Sequence, residues 1–181
     1  MIEQRELLNK KEIEITIERL CQQLIENHTD FKNTVIVGVQ PRGTYFSKRI
    51  IAKLQTLISA TTIQNGNIDI SFYRDDLMRR EEPIVPEVMD MNLSVEGKKV
   101  VLIDDVLFTG RSIRSAIDAL MAFGRPSSVE LLTLIDRRFS RHLPIQPNYV
   151  GRTIDAIDSE RVIVEWKELS GQDRVLMVKS E

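Results

Sequence analysis

Cysteine is nearly absent: Cys21 is the only one in 181 residues, which excludes an internal disulfide. It falls among Ile13, Ile17, Leu20 and Leu24 at helical spacing, so a buried core thiol is expected rather than a reactive one. Histidine is equally scarce. His28 and His142 have no cysteine at ligand spacing, which argues against a zinc centre and leaves both expected on the surface or in loops. No apolar run approaches the roughly 18 residues of a spanning helix, and Met1 to Leu8 is charged and lacks the apolar core of a secretory signal. A cytoplasmic protein with no membrane contact is expected. Charge of one sign is also missing: 25 basic residues stand against 27 acidic ones, a net charge of -2. That balance excludes a protein that holds nucleic acid by bulk field alone, while a local basic face stays open. With no repeat, no low-complexity segment and no linker, residues 1–181 read as one domain, long enough to bury roughly 70% of its unfolded surface.

What is present is a regular alternation. Asn9 followed by Glu12 resembles a helix-start box, and the apolar spacing predicts an amphipathic helix from Lys10 to about Asn27. Thr34 to Val39 is a continuous β-branched run, the composition of a strand buried on both faces of a parallel sheet. Phe46, Ile50, Leu54 and Leu57 mark a second helix, and Ile68, Ile70 and Phe72 alternate with polar residues as a half-buried strand. Between Arg74 and Lys98 no periodicity is sustained, and connections of that length in a compact domain are usually lids or binding loops, with a plain hairpin insertion as the alternative. Lys99 to Ile103 and Val129 to Ile135 read as further buried strands. Ser112 to Phe123 reads as a helix with Ile113, Ile117, Leu120 and Met121 on one face, stopped by Gly124 and Pro126. The tail alternates at Val162, Val164 and Trp166, turns at Ser170-Gly171 and resumes from Val175 to Val178, a C-terminal hairpin. Strands alternating with helices predict an α/β fold with a central, mostly parallel sheet.

The stretch that carries chemistry is Val100 to Ser115, VVLIDDVLFTGRSIRS. An apolar strand runs into Asp104 and Asp105, and Thr109-Gly110-Arg111-Ser112 then opens a helix. Open α/β sheets bind ligands at the carboxyl ends of their strands, and such a turn offers backbone N–H groups and hydroxyls to a phosphate. Adjacent carboxylates repel phosphate but suit a polyol or a cation, so the segment calls for a ligand that is both a phosphate and a diol. A Walker loop would need glycine at position 105 and lysine at 111, where the chain has Asp105 and Arg111, and no Gly-x-Gly-x-x-Gly occurs.

These residues resemble the phosphoribosyl-pyrophosphate motif of the type I phosphoribosyltransferases. Val37-Gly38-Val39 to Arg42-Gly43 resembles that family's pyrophosphate loop, Tyr73-Arg74-Asp75-Asp76-Leu77 the start of its flap, and Gly124-Arg125-Pro126-Ser127-Ser128 the turn after its motif helix. With Leu143-Pro144-Ile145, the likeness extends over nearly the whole chain and is greatest to members that use uracil and also regulate pyrimidine transcripts.

The resemblance implies the type I fold, with a mobile flap at about 74–98 and a small hood at about 136–160 plus the C-terminal hairpin. It implies conversion of uracil and phosphoribosyl pyrophosphate to UMP and pyrophosphate, with Asp104 and Asp105 as the catalytic carboxylates on the ribose hydroxyls. Val106, Leu107, Phe108, Thr109, Gly110, Arg111 and Ser112 would cradle the 5-phosphate. Pro41, Arg42 and Gly43 would meet pyrophosphate, and Arg74 would root the flap. Ile135, Asp136 and Arg137 would hold uracil under the hood. Mg²⁺ would enter with phosphoribosyl pyrophosphate near Asp104 and Asp105, with no residue assigned as its direct ligand. Type I enzymes often carry a cis peptide in the pyrophosphate loop, which marks Gln40-Pro41 as a candidate. The family also implies a homodimer or higher homo-oligomer.

An RNA partner, an mRNA leader bound in response to UMP, is the second implication. Its face would comprise Arg138, Arg141, His142 and Arg152, since 137–152 holds four arginines and no carboxylate. The chain departs from the family there: Asp136-Arg137-Arg138-Phe139-Ser140-Arg141-His142 is one residue longer than the usual hood, and Gln22 and Asn27 replace basic residues of the first helix. A UMP sensor without turnover, or an enzyme for another base, are the alternatives. The intact carboxylate pair weighs against the first and the hood resemblance against the second.

Overall fold

The computed structural model describes residues 3–58, 62–73, 91–157 and 159–179. Strand β1 (Glu3–Leu8) leads into helix α1 (Lys10–His28), then β2 (Thr34–Val39), α2 (Gly43–Leu57), β3 (Gln64–Ile68), β4 (Lys99–Leu107), α3 (Arg111–Leu120), β5 (Ser128–Arg137) and β6 (Tyr149–Ile154). The chain ends in β7 (Glu160–Glu165), the short α4 (Lys167–Ser170) and β8 (Arg174–Lys179). Five strands form a parallel sheet in the order β3-β2-β4-β5-β6, and three form an antiparallel sheet in the order β1-β8-β7.

Strand period and helix period account for the layers. In β2, Ile36 faces one side and Val35, Val37 and Val39 the other; in β4, Val101 and Ile103 oppose Val100 and Leu102. The first side is covered by Ile13, Leu20 and Leu24 of α1 with Phe46, Ile50 and Leu54 of α2. The second is covered by Ile113, Ala116, Ala119 and Leu120 of α3. The predicted capping box is present, with Glu12 N–H donating to Asn9 Oδ1 (3.0 Å) and Asn9 N–H to Glu12 Oε2 (2.8 Å). Cys21 is fully buried, and burial pushes its thiol up to about 12, as a core cysteine requires.

The structure corrects several expectations. The half-buried strand expected through Phe72 is β3, which ends at Ile68. Asp69 Oδ1 accepts the Ser71 N–H (2.8 Å), turns the chain into a 3-10 turn at Ser71–Tyr73, and leaves Phe72 exposed. Helix α3 stops at Leu120, so Met121 lies outside its buried face. β4 runs past Ile103 to Leu107, because Asp104, Val106 and Leu107 stay in register with Thr133, Ile135 and Asp136 of β5.

β1 has no apolar alternation to announce it and exists through its antiparallel partner, with Leu8 opposite Val175. β6, within the segment expected to be hood, is an edge strand of the main sheet. Of the expected flap, residues 74–90 with Arg74 lie outside the described residues. Met91 and Val95 are buried against the α3 side, and Val95 N–H donates to Phe123 O (3.0 Å), so this end of the segment belongs to the core.

Candidate active site at the carboxyl end of the parallel sheet

A cleft of about 280 Å³ opens where β2 and β4 end, lined by Val39, Gln40, Pro41, Arg42, Ile70, Asp104, Asp105, Val106 and Ser112. Strand register puts the ends of β2 and β4 side by side, and the turn after β2 carries Pro41 and Arg42 exposed at the rim. The Gln40-Pro41 peptide is cis, as the family resemblance implied. Gly43 opens α2 against β4: a Cβ there would stand 2.4 Å from Ile103 O and 3.1 Å from Asp104 Cα, so the loop reaches the carboxylates only with glycine at this position.

Asp104 is half-buried and Asp105 is buried, on successive positions of a strand that would otherwise place them on opposite faces. They are drawn together by the Asp105 N–H, which donates to Asp104 Oδ1 (3.0 Å). Burial pushes Asp105 up to about 6, against the pull of the Arg42 guanidinium. Burial, and then the charge of Asp105, also raises Asp104 well above the usual carboxylate range. Among the described residues, the buried Asp105 Oδ2 has no hydrogen-bond partner. A buried acceptor without a donor is costly unless a ligand completes it, and a sugar hydroxyl or a cation would do so. The donor set therefore fits a diol carrying Mg²⁺. Thr133, beneath the pair, directs its hydroxyl at Ile135 O (3.0 Å) and Asp105 O (3.4 Å) and so ties β4 to β5 under the site.

Beyond Leu107 the chain leaves the sheet as Phe108-Thr109-Gly110. Gly110 adopts φ 89° at the N-terminus of α3, a left-handed conformation that favours glycine. Its carbonyl accepts the Arg114 N–H (2.9 Å), and the Arg111 N–H reaches Thr109 Oγ1 (3.4 Å). The first turn of a ten-residue helix therefore presents its N–H groups beside the Ser112 hydroxyl, an arrangement suited to an anion.

The predicted base-binding residues lie at the end of β5. Ile135 packs its side chain into the core, so only its backbone can face a ligand. Asp136 is buried and ion-paired with Arg141, and Arg137 lies over the Phe108 ring at 3.9 Å and donates to Ile157 O (3.2 Å). The predicted RNA face is less positive than its sequence suggests. Arg138 forms a two-oxygen pair with Asp155, Arg141 is taken by Asp136, and Arg152 donates to Leu7 O; His142 is exposed. The carboxylates that neutralise it stand just outside the 137–152 window.

Sequence reasoning did not assign Gln40, Ile70 or Thr133 to the site as lining or supporting residues. Gln40 follows directly on β2 and Ile70 lies two residues past β3, and the rule that strand carboxyl ends meet ligands would have found them; Thr133 has no signal in the sequence. His28 is corrected too: it is buried, with Nδ1 3.0 Å from Thr34 Oγ1 and Nε2 3.1 Å from Glu130 Oε2.

Comparison with known proteins gives the family and the fold. Residues 3–169 match the phosphoribosyl transferase domain family. The chain is 38% identical over 175 residues to the bifunctional protein PyrR of Enterococcus faecalis, spanning 97% of both chains. It is 39% identical over 174 residues to that of Halalkalibacterium halodurans (94% of this chain, 95% of the relative) and 36% identical over 178 residues to that of Bacillus subtilis (97% of both). Among solved structures, a hypoxanthine phosphoribosyltransferase from Staphylococcus aureus superposes with a TM-score of 0.71 at 24% identity, covering 97% of this chain and 92% of that one. The Trypanosoma cruzi enzyme of the same name superposes with a TM-score of 0.72 at 17% identity, covering 98% and 97%. At those identities the structures speak for the fold alone.

Proposed function

The chain belongs to the phosphoribosyl transferase family and stands among its bifunctional PyrR members, and from that premise we propose that it is a uracil phosphoribosyltransferase. It joins uracil to phosphoribosyl pyrophosphate, releasing pyrophosphate and UMP. The observation that carries the reading is the Asp104–Asp105 pair, its buried Asp105 with an unpartnered carboxylate oxygen, set between an anion-suited helix start and the Arg42 loop.

In this reading the two carboxylates accept the ribose 2- and 3-hydroxyls, and the Val106–Ser112 segment takes the 5-phosphate through backbone N–H groups and the Thr109 and Ser112 hydroxyls. Arg42 faces the pyrophosphate as it departs. Mg²⁺ bound with the substrate near Asp104 and Asp105 would screen the pyrophosphate charge and so ease its departure. Departure leaves positive charge on the ribose ring, and Asp105, ionised above about pH 6, stabilises it. Uracil is held largely by backbone groups at Ile135, Asp136 and Arg137.

The second role is UMP-responsive binding of an mRNA leader, which the family resemblance implies and with which relatives named as bifunctional proteins agree. Since Arg138 and Arg141 are paired with carboxylates, this binding is weaker than four unpaired arginines would provide. Purified protein with phosphoribosyl pyrophosphate and Mg²⁺, offered uracil, orotate, hypoxanthine and adenine in parallel, tests the first role through pyrophosphate release. Turnover with uracil is expected; turnover with a purine and none with uracil would reassign the enzyme. Filter binding of a pyrimidine-gene leader with and without UMP tests the second.

A further inference from the structure

Arg141 sits on an outer segment that sequence alone assigns to RNA, yet its side chain is only 18% exposed and turns inward. One guanidinium nitrogen donates to the carbonyl of Phe108 and another to the carboxylate of Asp136, whose side chain is 13% exposed. The same segment then supplies two backbone donors to the next carbonyl of the loop: the N–H groups of His142 and Leu143 both reach Thr109 O, at 3.0 and 3.2 Å. Leu143 and Ile145 flank Gly110 closely enough that a Cβ there would meet them at 3.5 and 3.3 Å. A loop that aims its N–H groups at an anion must turn its carbonyls away, and here those carbonyls are held from behind by one arginine and two amides.

We propose that Arg141, with the backbone of His142 and Leu143, is a positioning brace that holds the Phe108–Gly110 loop in its phosphate-binding form and links it to Asp136 on the base side of the site. The inference rests on the reading of that loop as the 5-phosphate site. It makes Arg141 a positioning residue rather than an RNA contact, since its charge is spent inside the protein. A planar fork can serve a carbonyl and a carboxylate together; lysine, with one ammonium, can pair with Asp136 and leave the Phe108 carbonyl unheld.

The test compares binding of UMP and uridine, which differ only in the 5-phosphate, to wild type, Arg141→Met and Arg141→Lys by titration calorimetry, with thermal melting alongside. Wild type should prefer UMP strongly. Both variants should lose on the order of tenfold of that preference, with uridine affinity little changed. Arg141→Lys should recover most of the melting temperature that Arg141→Met loses, because it keeps the charge beside Asp136, without recovering the UMP preference. Steady-state assays should show the same split, a raised KM for phosphoribosyl pyrophosphate with the KM for uracil nearly unmoved. If either folded variant keeps the wild-type ratio of UMP to uridine affinity, the brace is wrong while the phosphate-loop reading stands. If wild type itself does not distinguish UMP from uridine, the phosphate-loop reading fails and the brace falls with it.

Discussion

At the amino end of the parallel sheet, buried polar groups close on one another; at its carboxyl end they do not. The amino end holds His28 from α1, Thr34 from β2, Glu130 from β5 and Tyr149 from β6. Tyr149 donates to Glu130 Oε2 (2.6 Å), Asn27 Nδ2 donates to the Tyr149 oxygen (3.1 Å), and His28 spans Thr34 and Glu130. That pattern assigns a neutral imidazole that donates from Nε2 and accepts at Nδ1, consistent with burial holding the His28 pKa below its ordinary value. The carboxyl end holds two carboxylates that burial forces upward, one with an oxygen that nothing in the described protein satisfies. Both ends belong to one sheet and each mixes buried with partly buried groups, so depth does not separate them. Completion does. The finished network secures the sheet, and the unfinished one stores affinity for a ligand at a cost in stability.

The largest expected break in this contrast is Asp105→Asn. Turnover with uracil should fall by roughly 100-fold or more, as loss of preorganised charge does elsewhere, while the melting temperature at pH 8 should rise because a buried charge has gone. A fall in both would mean that Asp105 supports the fold rather than the reaction.

Next comes Gly43→Ala, which presses a methyl group on the backbone of β4 at Ile103 and Asp104. Displacing the carboxylates by a fraction of an ångström should cost about tenfold or more in kcat/KM, with the far end of the sheet undisturbed.

The pH dependence separates the two ends by sign. Asp105, at about 6 in the folded protein and near 4 unfolded, destabilises the fold above pH 6, and this cost is relieved as pH falls from 6 toward 4. His28, lowered on folding, does the reverse: its contribution is present above its unfolded value near 6.5 and is lost as pH falls below that value. Melting curves from pH 4 to 8 should therefore show Asp105→Asn losing stability toward acid more steeply than wild type. In wild type, kcat/KM should decline below about pH 6, as Asp105 is protonated in the free enzyme. Identical melting profiles for the two proteins would contradict the assignment.

Tyr149→Phe should cost about 1–2 kcal/mol in denaturant unfolding with unchanged uracil turnover, since it opens the closed network, none of whose members lines the cleft. The smallest effect is expected of Arg138→Ala. Its pair with Asp155 is more than half exposed on both sides, so stability should move by no more than about 0.5 kcal/mol. Leader binding in the filter assay should weaken modestly, by about 1 kcal/mol for one lost phosphate contact.

Local pattern and local chemistry were enough to read α1 with its cap, the buried runs of β2, β4 and β5, the helix face of α3 through Leu120, and the Asp-Asp to Thr-Gly-Arg-Ser segment. Each depends on neighbours in the chain: an Asn9–Glu12 box, a β-branched run, a glycine at a helix start. Tertiary structure decided the rest, because it hangs on partners far away in sequence. β1 is a strand because Arg174–Lys179 lies beside it, and β4 carries Asp104 and Asp105 into the sheet because β5 keeps register with it to Leu107. His28 is buried because Glu130 and Tyr149 can satisfy it, over a hundred residues later. Arg141 reads as a surface cation until Asp136 and the Phe108 carbonyl turn it inward. Composition and spacing record what a residue can do, whereas the partner that uses up a charge or a hydrogen bond is chosen only when the chain closes in three dimensions.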